Sequence, residues 1–170
     1  MWFSFIIISI VGTLFHFLYD WSGHNKMIGL FAAVNESTWE HIKIALTPSL
    51  LWGLIDGFLY GANPNYFLAK SMSLLTMIVV IPVLFYLYSY ILKKHVLIID
   101  ILIFYVAIFL GQSLFYYVLN GPVVPYIFRY SGAVLLFIIF GFYMTATLLP
   151  LKNFLFKDPI TKKYGLKGHK

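Results

Sequence analysis

The chain has 170 residues, of which 61% are apolar and only 11% charged, and its mean hydropathy is +0.87. Soluble domains carry about 25% charged residues, so the composition excludes an ordinary water-soluble fold. The net charge of +6 does not point to nucleic acid, because six of the twelve basic residues (Lys152, Lys157, Lys162, Lys163, Lys167 and Lys170) follow Pro150, where they act as a topology signal or touch anionic lipid.

The absence of cysteine removes disulfides, thiolate metal sites and dithiol redox chemistry. A span needs about 20 apolar residues to cross ~30 Å of hydrocarbon. The expected fold is therefore an all-α, polytopic transmembrane bundle of five spans, residues 1–19, 38–60, 66–92, 96–119 and 126–149. Residues 1–150 form a single transmembrane domain and 151–170 a basic tail, with no room for a separate soluble domain. Closed barrels alternate apolar and polar positions over short strands, and runs such as Leu74 to Leu92 do not.

The first run lacks a basic leader and a small-residue cleavage site, and is read as a retained helix. Between spans one and two, Met27 to Val34 is apolar but too short to cross, which leaves an interfacial turn or a re-entrant piece. The second span opens on Ser37 followed three residues later by Glu40, the spacing of a capping box in which each side chain reaches a backbone amide. Pro48 falls inside that span and is expected to kink it. Gly53, Gly57 and Gly61 then recur every fourth residue, a stripe suited to close helix packing or to contact with a membrane partner.

Five spans put the termini on opposite sides. With the tail in the cytoplasm and the N-terminus outside, Lys26, Lys43, Lys93 and Lys94 join it, and only Lys70 and Arg129 fall outside. That distribution obeys the positive-inside rule and predicts a multi-pass protein of the cell membrane.

Ionisable residues in such spans are costly and mark function. His16 and Asp20 share a face at the inner end of the first span, where the carboxylate can orient the imidazole. Asn35, Glu36, Trp39, Glu40 and His41 gather at the start of the second, and Asp100 sits at a similar depth in the fourth. These residues make a candidate inner-leaflet site for a small solute or a cation. His16, Asp20, Glu40 and His41 are its candidate ligands for a divalent metal. The bland alternative is that Glu36 and Glu40 only favour the helix N-terminus while the histidines are solvated. A second, outer polar set comprises Asp56, Gln112 and Arg129, with an Asp56 to Arg129 ion pair as its expected stitch.

The stretch from His16 to Trp21, followed by Val34 to Lys43 with its Asn-Glu-Ser-x-Trp-Glu-His core, resembles a family of small uncharacterised prokaryotic integral membrane proteins. The resemblance covers about the first third of the chain and implies no activity, cofactor or substrate. Three functions stand open: solute or ion binding and transport at the inner polar site, a membrane-embedded hydrolase using a metal or acid and base, and a structural or assembly factor.

Overall fold

The computed structural model describes residues 1–168, so Lys170 of the basic tail lies outside the described residues. Five helices follow the apolar runs: α1 (Trp2–Trp21), α2 (Thr38–Tyr60), α3 (Tyr66–Leu92), α4 (Leu97–Leu119) and α5 (Tyr126–Leu148). All five are long and apolar enough to cross a membrane. Large apolar side chains such as Phe58, Phe137 and Leu149 face outward, while Ile8, Ala45, Leu74, Met77, Ala107 and Ile108 fill the centre. That inside-out distribution is what a bundle in lipid requires.

α2 is the helix most enclosed by the others. Pro48 inside it has no N–H to give the carbonyl of Ile44, one turn earlier. Gly12 of α1 packs directly against that carbonyl: a Cβ at Gly12 would lie 2.6 Å from the Ile44 oxygen. Gly132 of α5 lies equally close to the backbone of α3, its Cβ position falling 2.5 Å from the Cα of Leu68. The stripe in α2 works differently. Gly53 leaves room for the side chain of Lys70 and Gly57 for the hydroxyl of Tyr66, so it admits polar side chains of α3 where close backbone approach was expected.

The connection between α1 and α2 contains a single 3-10 turn, Ile28–Leu30. Three successive carbonyls of this segment are taken by side chains: Gly29 by Lys43 Nζ at 2.8 Å, Leu30 by the Tyr143 hydroxyl at 3.2 Å, and Phe31 by Thr47 Oγ1 at 2.9 Å. Thr47 is nine residues into α2, roughly 14 Å along it at ~1.5 Å per residue. The segment therefore runs beside the first turns of α2 and is tied to the bundle by these bonds.

Residues 151–168 fold back as a cap on the N-terminus of α2. The Trp39 amide donates to the Leu155 carbonyl at 2.9 Å, and the Trp39 ring stacks on Phe156, which is 1% exposed. A turn bridging Lys157 and Tyr164 leads to a final 3-10 turn, Gly165–Gly168. The segment that reads as a charged tail is thus also a packing element.

Candidate functional site

The site lies at the end of the bundle that the C-terminal cap covers. Ser37 is the N-cap residue of α2, but its hydroxyl makes no capping bond, so the capping box is not formed. Glu40 turns the other way. One of its carboxylate oxygens accepts from the Val34 amide at 3.0 Å and meets Lys43 Nζ at 2.6 Å, with both side chains nearly inaccessible. The start of α2 is instead ordered by Asn35, whose Oδ1 accepts from the Ser37 amide at 2.8 Å while its Nδ2 donates to Gly165 at 2.9 Å. Asp158 completes the clamp by accepting from the Glu36 amide at 3.2 Å and from Thr161.

These contacts divide the motif in two. Asn35, Trp39 and Glu40 hold the cap and the α1–α2 connection. Glu36 and His41 are left facing His16 of α1. His16 Nε2 lies 3.9 Å from one oxygen of Glu36, and His41 Nε2 lies 3.8 Å from the other, with the two imidazoles 5.9 Å apart. Neither distance is a hydrogen bond. His41 Nδ1 sits 3.0 Å from the Ser37 carbonyl, which can only accept, so Nδ1 carries the proton and Nε2 presents its lone pair toward Glu36 in the neutral ring. Glu36 is about half exposed (45%), and the imidazoles are less so (26% and 22%).

His16 stands between two cavities. The first, of about 130 Å³, is bounded by His16, Asp20, Asn35, Glu36 and Asp158 under the cap. The second, of about 290 Å³, is a mostly apolar cleft between α1, α2 and α4 where His16, His41, Asp100, Thr13 and Tyr105 meet Phe17, Leu97 and Ile101. Asp100 is fixed on its wall by the Tyr88 hydroxyl, whose oxygen in turn accepts from the Val96 amide at 3.3 Å.

Of the residues singled out from the sequence, His16, Glu36 and His41 come together, Asp20 and Asp100 line the flanking cavities, and Asn35, Trp39 and Glu40 serve as scaffold. Asp20 approaches His24 at 3.3 Å; the carboxylate nearest His16 is Glu36. The metal set His16, Asp20, Glu40 and His41 is not assembled, because Glu40 is held by Lys43. Among the described residues no group of three or more His, Cys, Asp and Glu is arranged to hold a metal ion.

In the outer set Asp56 pairs with Lys70 at 2.8 Å, both side chains buried, in place of the expected pair with Arg129. Arg129 donates to the Val124 carbonyl at 2.8 Å and lies over the Tyr126 ring. Gln112 is fully buried. Asp158 and the Thr13–Tyr105 contact at 3.1 Å escaped the sequence reading, and no spacing in the chain signals either.

The chain belongs to a family of unknown function (DUF6512), whose model matches residues 1–166 and so extends well beyond the segment that carries the sequence resemblance. No curated protein and no solved structure matches it.

Proposed function

For this member of a family of unknown function, we propose a multi-pass protein of the cell membrane that binds a small cationic solute, a protonated amine in the simplest case, at His16, Glu36 and His41. The observation that carries this reading is the pair of gaps of 3.9 and 3.8 Å between one carboxylate and two imidazole nitrogens. Each gap is too long for a direct bond, and an ammonium nitrogen seated beside it, roughly 2.8 Å from each atom, donates to both. Asp20 and Asp158 border the adjoining cavity, so the field favours a cation over an anion. The excess of basic residues at this end supports a cytoplasmic location by the positive-inside rule, and with it an inner-leaflet site.

An organic cation is preferred to a metal, since the carboxylate that would complete a metal set is bound to Lys43. The same lock weakens the hydrolase reading, which needs Glu40 beside the histidines.

The test is thermal unfolding of the purified protein against ethylamine, tetramethylammonium, sodium, acetate and phosphate. At a ligand concentration 100-fold above Kd, linkage stabilises by about 2.7 kcal/mol. Ethylamine should raise Tm by several degrees in the wild type and have no effect on Glu36→Gln, whose ligand-free Tm stays close to wild type because Glu36 makes no close side-chain bond. A wild type unmoved by every cation, or a Glu36→Gln variant with the full response, would overturn the reading.

A further inference from the structure

A polar seam runs from this site toward the far end of the bundle. On α1, Ser9, Thr13, His16 and Asp20 recur at helical spacing and so share one face. On α2, His41, Ser49, Trp52 and Asp56 do the same. Contacts between helices fix the levels. At the far end Lys70 of α3 bonds Asp56 of α2 and lies over Phe115 of α4. One turn deeper, Ser73 follows Lys70 and Gln112 precedes Phe115, and the Cβ position of Gly111 falls 2.9 Å from the Ser73 carbonyl, so Ser73 and Gln112 share a level with Trp52. Below them Ser49 reaches Met77 at 3.4 Å, then Thr13 meets Tyr105 at 3.1 Å, and Tyr105 shares the cleft with His16.

Between the Asp56–Lys70 pair and the Thr13–Tyr105 contact, five buried polar atoms find no protein partner: Trp52 Nε1, Ser73 Oγ, Ser9 Oγ and both amide atoms of Gln112. Gln112 and Ser73 are completely inaccessible, and Ser9 is 5% exposed. In a bundle surrounded by lipid an unmet polar group costs several kcal/mol, so five at neighbouring levels are not tolerated dry. A water with two to four polar partners meets the need.

We propose that internal waters fill this seam and make a proton path between Asp56 and His16. Both ends are titratable and both face further charged or titratable groups: Lys70, Tyr66 and Tyr116 around Asp56, and Glu36, His41, Asp20 and Asp100 around His16. The waters bond to Gln112, Ser73, Trp52 and Ser9, and the hydroxyls of Thr13 and Tyr105 hand the chain on to the imidazole. The proposal does not depend on which solute the cluster takes.

The chain has no cysteine, so single cysteines report on hydration without background. Ser9→Cys and Ser73→Cys, reconstituted in liposomes, should react with a small charged methanethiosulfonate about tenfold faster than Ile10→Cys, because the reactive thiolate forms only where water reaches; Ile10 is exposed on the apolar surface next to Ser9. Wild-type proteoliposomes should dissipate an imposed pH gradient faster than protein-free ones, and Gln112→Leu and Ser9→Ala should each slow that dissipation. Equal reactivity of the three cysteines, or a pH gradient held as long as without protein, would overturn the proposal. The amine response of the inner cluster is read separately by thermal unfolding, so either proposal can fail alone.

Discussion

Lys43→Met is expected to cost about 3–5 kcal/mol, because removing one member of a buried pair strands the other. Glu40 would remain beside the Val34 amide with no cation near it, in a position 4% exposed. The Gly29 carbonyl would lose its donor at the same time, releasing the first of the three carbonyls that tie the α1–α2 connection to the bundle. A fall of many degrees in Tm, with lower folded yield, is the expected readout. The double variant Glu40→Gln and Lys43→Met separates pairing from packing: with no charge left to strand, it should recover most of the loss. If Glu40 instead served only to favour the helix dipole, its replacement would cost roughly 0.3 to 1 kcal/mol and Lys43→Met little more.

Lys70→Met should be comparably severe. It leaves Asp56, 1% exposed, without its cation in the interior of an apolar bundle, where insertion scales charge about 2.5–3.5 kcal/mol for a single unpaired ion. Asp56→Asn combined with Lys70→Met should unfold much closer to wild type than Lys70→Met alone, as measured by the midpoint in detergent. Arg129→Gln, by contrast, should move the midpoint little, since Arg129 donates to a carbonyl and lies over an aromatic ring at the bundle end.

Reading the sequence succeeded where one physical signal dominates. Apolar runs of span length are unambiguous, and five helices followed from them. Ionisable residues are rare in such a chain, so His16, Glu36 and His41 stand out in the sequence, and these three lie together. Pairing was not legible. Glu40 looks like half of a capping box from its spacing to Ser37, yet the Ser37 amide is taken by Asn35 and Glu40 pairs with Lys43 one turn on, a lysine whose sequence position suggests a solvated or topology charge.

Lys70 is a parallel case: span alternation gives it only a side of the membrane, and its burial against Asp56 has no sign in the sequence. Charge counted along a chain carries no information on burial. The C-terminal segment was misjudged for a related reason: its lysines dominate its composition, while the contacts that seat it depend on Phe156, Asp158 and the carbonyl of Leu155, over a hundred residues from their partners. Long-range contacts of that kind have no local signature. Glycine spacing was equally misleading, since the closest backbone approaches between helices occur at Gly12 and Gly132, outside the stripe.

The central claim is that Glu36 and two imidazoles form one cation site, and nitrogen-15 imidazole shifts of His16 and His41 in the purified protein report on it most directly. Titrating ethylamine should move the Nε2 resonances of both rings along a single saturating curve, leave the protonated Nδ1 of His41 nearly unchanged because it stays on the Ser37 carbonyl, and have no effect in Glu36→Gln. Resonances that ignore the amine at every concentration, or that respond identically in Glu36→Gln, would contradict it.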